Sequence, residues 1–471
     1  MPNQPREITV TTPQGTVVGV SEASRHYFYS LPFCDIPAPF SPAQPATFDS
    51  PVDCRTPWSR QVALTVTTPV GALAAERDTA EGLADLPVVV FIHGGRFESG
   101  HQDRYFSAGD SFGTDPVVLV SIGYRTGLPG FAVTDDQRDR NRYRGVDDVL
   151  LGLKWIEDNI EYFGGDPSNV TLTGQSAGAA IALWLCRKDH YTGLFRRVVA
   201  MSPGFPRQHF DERKATLRKA GIRDFSEAGL NATAEPVLAK AYNRLRKKYF
   251  HDAAVGPAGF DARELIPIDM LITQCADEFT NDPKAAKLDG WKLGSTAVDL
   301  MHKTLGFTSP VDDYLHYCRA IDKQHVAGRA VGDSVITRYV DHTTHHAPGN
   351  TWLLQFTGGQ LPSGAALPAW HCADLGMFFP DLLSSERMGR LYRDQAAATK
   401  ATAATTHTLL VDFAHGIQPD WQPFSTTNPV AAQVSLTSRD GVRSTVNDPL
   451  QPIHAALKPI AEHTPASSTG H

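Results

Sequence analysis

The sequence predicts an α/β protein: a mostly parallel central sheet flanked by helices. Three observations predict it. Short apolar β-branched runs alternate with segments of helical spacing, the pattern of strand–helix–strand units. The runs end in glycine-bearing loops, as "PVVVFIHGG" does at Gly94 and Gly95. No Pro/Gly/Ser-rich linker divides the 471 residues, so one large unit with insertions is expected rather than several domains.

The elements follow in order. "PVVVFIHGG" reads as a buried strand and its loop, and "PVVLVSIGYR" repeats that logic. Val146, Val149, Leu150, Leu153, Ile156 and Ile160 fall at helical spacing, and Gly164, Gly165 and Pro167 end that helix. "NVTLTG" is the next strand, Ala177 begins the next helix, and "RRVVAMS" is another strand. From about Phe205 to Tyr249 charges and alanines dominate without a strand pattern, which predicts a helical cap insertion at about 205–265. Strand signals return at "IDMLITQC" and "NTWLLQFTG". Residues 1–463 are expected to form one domain, and 464–471 a disordered tail.

Composition narrows the partners. The chain is 41% apolar and 20% charged with a net charge of -7, which suits a soluble globular protein and argues against nucleic acid. "LRKK" then reads as a solvated helix face. Residues 1–20 lack an apolar signal core, and no apolar run reaches membrane-spanning length, so a cytoplasmic protein without membrane contact is expected, as monomer or homodimer. Six cysteines lie far apart without a C-x-x-C motif; Cys34 and Cys54 would pair only in an exported protein. "HTTHH", His342 to His346, offers histidines at metal-ligand spacing, but a turn follows and no carboxylate motif completes a site, so no metal is expected.

The stretch "VTLTGQSAGAAIALW" carries the chemistry. Gly174, Gln175, Ser176, Ala177 and Gly178 form G-x-S-x-G, a turn from strand to helix tight enough to need glycines and to push a serine hydroxyl outward. A serine hydroxyl is a poor nucleophile at neutral pH and needs a base, an acid that orients the base, and donors for an oxyanion. The loop "HGGRF", His93 to Phe97, follows a strand and aims backbone N–H groups, which Ala177 would join. His371 in "PAWHCADLGMFF" lies late in the chain, where such a base is expected. Asp277 and Glu278 in "CADEF" directly follow a strand and are both candidates for the acid.

Together these stretches resemble the type-B carboxylesterase/cholinesterase family of α/β-hydrolases. "NIEYFGGDPSNVTLTGQSAGA", "FIHGGRFESG", "GYRTGLPGF", "AMSPG", "CADEF" and "AWHCADLGMFF" carry the resemblance, which runs from "TPQGTVVG" to "FAHGIQPDWQPF". The resemblance implies a serine esterase without cofactor or metal, acting on a small-molecule ester. Ser176 matches the nucleophile, Glu278 the acid and His371 the base, with Asp374 at a later acidic position. Gly95, Arg96 and Ala177 match the oxyanion donors, with Gly94, Ser202 and Gln175 in support. The carried-over mechanism is proton removal from Ser176 by His371, an acyl-enzyme, and loss of activity as pH falls through about 6 to 7 because the base must be neutral. Lipase, thioesterase or amidase activity with the same groups, or a non-catalytic interaction protein, are the alternatives.

The departures from the family carry expectations of their own. Arg96 stands where Gly or Ala is usual; its cation either favours an anionic substrate group or pairs at the surface with Glu98. Gln175 replaces a glutamate, which removes a negative charge and disfavours choline-like cations. Phe279 replaces the glycine after the acid and keeps Asp277 in reserve. "RQVALTV" stands where the family has its early E-D-C-L signature, and the shorter segment before it implies a shallower entrance.

Overall fold

The computed structural model describes residues 5–76, 83–103, 110–113, 115–384 and 396–460, and the expected tail lies outside these. Twelve strands of four or more residues carry the main sheet: β1 (Arg6–Thr12), β2 (Gly15–Glu22), β3 (Arg25–Leu31), β4 (Leu64–Pro69), β5 (Leu86–Ile92), β6 (Val118–Ile122), β7 (Gly165–Gln175), β8 (Arg197–Met201), β9 (Asp269–Cys275), β10 (Thr351–Thr357), β11 (Val430–Ser435) and β12 (Ser444–Asn447). A short segment, Val52–Asp53, adds beside β2. The strands lie in the order β1-β2-β3-β4-β6-β5-β7-β8-β9-β10-β11-β12.

The centre is parallel. β6, β5, β7, β8, β9, β10 and β11 pair in one direction. β1 to β4 on one side and β12 on the other are antiparallel additions. The central strands are covered on both faces, which is why β5 reads "LPVVVFI" and is buried at every position. β1 and β2 instead mix exposed and buried positions, as edge strands with one wet face do.

Helices pack on the sheet through the spacings seen in the sequence. α1 (Arg144–Asn159) buries Val146, Val149, Leu153 and Ile156, one stripe at helical period. A 3-10 turn (Ile160–Phe163) follows it and ends at Gly164, at φ 89°, a left-handed cap open to glycine at little cost. α2 (Ala177–Leu185) is buried throughout, which accounts for its alanine-rich sequence. Between β8 and β9 the chain forms α3 (Phe210–Arg218), α4 (Glu227–Ala232) and α5 (Glu235–Lys248), and from Tyr249 to Ile268 it is irregular apart from a short turn at Ala262–Glu264.

The structure adds a second helical insertion that the sequence pattern does not announce. Between β9 and β10 run α6 (Pro283–Gly290), α7 (Gly294–Leu305), α8 (Asp312–Asp322), α9 (Val326–Gly332) and α10 (Arg338–His346). α6 to α9 bury Ala285, Val298, Leu305, Cys318 and Ala327 in a cluster of their own rather than against the sheet. After β10 come α11 (Ala373–Phe378), α12 (Ala396–Ala414) and α13 (Gln451–Ala456). All six cysteines are free thiols, Cys34 and Cys54 included.

This topology has one reversal. β5 continues to β6 on one side, and β6 returns across it to β7 on the other. The loops after β5 and β7 therefore diverge, leaving a crevice at the carboxyl ends of the strands, where open α/β sheets hold ligands.

Candidate active site

Four loops meet at that crevice: those after β5, β7, β9 and β10. The loop after β7 is one residue long. Ser176 sits between β7 and α2 with φ 56° and ψ −117°, a strained conformation for a non-glycine residue. Its amide donates to Met201 O at 2.8 Å, which anchors the turn to β8. The flanking glycines are steric requirements. A Cβ on Gly174 would come within 2.4 Å of the Gly178 carbonyl group, and one on Gly178 within 2.0 Å of Ile92 O. Ser176 is left 9% exposed.

His371 reaches the hydroxyl. Its Nε2 lies 3.0 Å from Ser176 Oγ, and its Nδ1 lies 2.5 Å from Glu278 Oε2. The His371 amide also donates to Glu278 O at 2.8 Å, so backbone and side chain both hold the two loops in register. Glu278 is 3% exposed, and its other oxygen accepts the Cys275 amide at 2.8 Å and the Ser202 hydroxyl at 2.7 Å. Asp277, the reserve for the acid, is committed elsewhere: it accepts the Ala369 amide at 3.0 Å and pairs with Arg329 at 3.1 Å.

A second carboxylate lies behind the first. Asp374 is fully buried, with Oδ2 3.1 Å from Ser202 Oγ and 3.2 Å from Thr273 Oγ1. Burial, and then the charge of Glu278, raise its pKa to about 6. Ser202 thus links two acids through one hydroxyl, at a left-handed φ of 48°.

The loop after β5 faces the serine. Gly95, Arg96 and Phe97 have φ of 123°, 58° and 63°, so the chain turns left-handed at three successive positions. Among the described residues, neither the Gly95 nor the Arg96 amide donates to another backbone carbonyl outside the regular elements. Gly94 packs against the turn: a Cβ there would lie 2.7 Å from Gln175 O and 3.3 Å from Ser176 Cβ. Tyr124 holds the loop from below by donating its hydroxyl to His93 O at 2.8 Å and stacking on the His93 ring. Gln175 places its amide nitrogen 3.4 Å from His371 Nε2.

Arg96 does not pair with Glu98. Glu98 bonds Arg246 of α5 instead, at 2.6 Å. The exposed Arg96 guanidinium donates to Asp252 O at 2.9 Å and to Phe250 O at 3.4 Å. It ties the first helical insertion to the loop that faces Ser176. Phe279 also has a place that its motif does not reveal: its ring stacks on His371, centroids 4.8 Å apart.

The "HTTHH" histidines form the end of helix α10. His342 bonds Asp261 at 3.2 Å, and burial lowers its pKa to about 4. Asp341, His345 of α10 and His454 of α13 do gather, with one potential ligand atom each within 4.8 Å of the others. The carboxylate absent from the motif itself is supplied by the residue directly before it, Asp341. Asp341 already bonds both rings, at 3.2 Å to His345 and 2.9 Å to His454. Burial opposes a charge on His345, yet the bond to Asp341 outweighs it and raises the pKa.

The sequence model of the carboxylesterase family matches residues 62–228, which hold the loop after β5 and the serine turn. Acetylcholinesterase of Gallus gallus is 41% identical over 122 residues, 25% of this chain and 15% of that protein. Carboxylesterase 5A of Felis catus is 37% identical over 144 residues, 30% of this chain and 26% of that protein. Neuroligin-2 of Mus musculus is 37% identical over 117 residues, 25% of this chain and 14% of that protein. The match thus spans about a quarter or less of the length of these relatives. Over the fold, a carboxylesterase from Geobacillus stearothermophilus superposes with a TM-score of 0.73 at 21% identity, covering 96% of this chain and all of that one. A PNB esterase superposes at 0.70 with 20% identity, covering 94% of this chain and 99% of that one. Residues 62–228 are thus similar to the carboxylesterase family, and the chain has the α/β-hydrolase fold of these esterase structures.

Proposed function

We propose that the protein hydrolyses carboxylic esters of small to medium acyl chains through a serine acyl-enzyme, with residues 1–463 acting as one catalytic unit. The observation that carries the reading is the line from Glu278 Oε2 through the His371 ring to Ser176 Oγ, with spacings of 2.5 and 3.0 Å. Such a line lets an imidazole take a hydroxyl proton while a carboxylate fixes its tautomer and stabilises the imidazolium.

In this reading Ser176 Oγ attacks the ester carbonyl as His371 Nε2 takes its proton. The carbonyl oxygen becomes an oxyanion beside the amides of Gly95, Arg96 and Ala177. Each such donor is worth on the order of a hundredfold in rate. The proton passes from His371 to the leaving alcohol. Water, deprotonated by the same imidazole, then cleaves the acyl-serine and returns the acid. No step calls on a metal or organic cofactor. The substrate is a small ester; nucleic acid is not a partner, and we place the protein in the cytoplasm as a monomer or homodimer. No described helix is long and apolar enough to cross a membrane.

A panel of chromogenic acyl esters of graded length tests the reading. Turnover that falls at least a thousandfold in His371→Ala is expected. Turnover surviving that substitution would remove His371 from the role. The segment shared with neuroligin-2 supports a second reading, an interaction protein that keeps the fold without the chemistry. It would be favoured by a folded protein inert toward the whole panel.

A further inference from the structure

The second helical insertion holds a cavity of about 340 Å³ that includes none of Ser176, Glu278 or His371 in its lining. Its walls are apolar: Val298 and Leu305 of α7, Val331 of α9, and Phe250 from the first insertion. The volume is at the lower end of the range for small-molecule sites.

Three basic groups interrupt this apolar lining. Lys284 and Lys287 of α6 line the cavity and are exposed, so their ammonium groups stand where it meets solvent. Each lies over an aromatic ring at the rim, Lys284 Nζ 3.7 Å from the Phe250 centroid and Lys287 Nζ 4.7 Å from that of Trp291. Those rings are 45% and 60% exposed. The one acid in the lining, Asp282, caps α6 by accepting the Lys284 and Ala285 amides. His251 is the third group. Its Nδ1 is buried and, among the described residues, has no hydrogen-bond partner. Burial and the nearby Arg207 lower its pKa, which keeps the ring neutral and able to hydrogen-bond a ligand oxygen. A buried polar atom without a partner costs stability unless something satisfies it.

We propose that this cavity is a binding site for a single-chain aliphatic carboxylate, its chain among the α7 and α9 side chains and its carboxylate at Lys284, Lys287 and the His251 imidazole. The site is separate from the ester chemistry and stands or falls without it.

Calorimetric titration of the full chain with decanoate, below its micelle concentration, tests this in wild type and in Ser176→Ala alike. Decanoate is expected to bind, and octanoate about fifteenfold more weakly, since each buried methylene is worth about fourfold. Decyltrimethylammonium is expected not to bind in the same range. Lys284→Glu with Lys287→Glu, both on the surface, should weaken decanoate about tenfold. Ala297→Trp, which fills the cavity, should abolish binding while the hydrolysis of short esters is kept. Equal affinity for the two acids, or decanoate binding untouched by both sets of variants, would overturn the proposal. So would displacement of decanoate by short esters, or adsorption to anionic phospholipid vesicles without decanoate binding.

Discussion

The ring of Phe279 stacks on the imidazole of His371, with centroids 4.8 Å apart and planes inclined by 28°. Phe279, which follows Glu278, thus covers one face of the His371 ring. An aromatic contact of this kind contributes about 0.5–1.5 kcal/mol. Phe279→Gly is expected to lower kcat by roughly three- to tenfold and to leave the protein folded. Steady-state kinetics on a short chromogenic ester checks this, and an unchanged kcat would make the stacking incidental.

Arg96 joins the loop after β5 to the carbonyls of Asp252 and Phe250. These contacts predict an effect on loop order rather than on substrate charge. Arg96→Ala is expected to lower kcat/KM several-fold for anionic and neutral esters equally. A loss confined to anionic esters would show that the cation meets substrate.

Asp374 is raised to about 6 by burial and by Glu278. A carboxyl whose pKa is higher folded than unfolded stabilises the fold fully below the unfolded value, near 3.9, and loses that contribution as pH rises through about 6. A carboxyl held that far above its unfolded value changes stability by roughly 3 kcal/mol across the range. Urea unfolding at pH 5 and pH 8 should show a smaller loss across this range in Asp374→Asn than in wild type. Equal losses would contradict the assignment.

His342 acts in the opposite sense. Burial lowers it to about 4, so its contribution to stability is complete above the unfolded value of 6.5 and is lost as pH falls from 6.5 toward 4. Replacing it with Asn should flatten the acid limb of the stability curve by roughly 3 kcal/mol, read from unfolding midpoints between pH 7 and pH 4.

Arg125 and Asp148 form a buried two-pronged pair, with contacts of 2.7 and 2.9 Å. Asp148 is fully buried and also accepts the Arg125 amide. Asp148→Ala leaves a guanidinium largely out of water without its partner, and is expected to destabilise the fold by about 3–5 kcal/mol. A change under about 1 kcal/mol in denaturant unfolding would contradict that burial.

The centre of the fold is legible because its strands are buried on both faces and announce themselves as apolar β-branched runs. β5, β6, β7, β8, β9 and β10 all fall on stretches that read that way. The antiparallel strands β1 to β4 are not: β1 and β2 have one wet face, and β3 and β4, though buried throughout, interrupt their apolar residues with His, Tyr, Ser, Thr and Pro. The helices α6 to α10 escape for another reason. α6 to α9 bury a narrow stripe against one another, α10 packs on β9 and β10, and an alternating strand–helix scheme has no place for five helices between two strands. In the site, Ser176 and His371 fall at positions where motif and chain order point to them. The choice between Asp277 and Glu278 rests on side-chain direction, which spacing does not encode. The contacts of Phe279 and Arg96 join segments distant in sequence and leave no local mark.

The central claim is that Ser176, activated by His371 and Glu278, is the nucleophile. Intact-mass analysis after reaction with a fluorophosphonate tests it most directly. The account predicts that wild type gains one phosphonyl group, mapped to Ser176, and that Ser176→Ala gains none. A label on another residue, or one that Ser176→Ala still acquires, would contradict it.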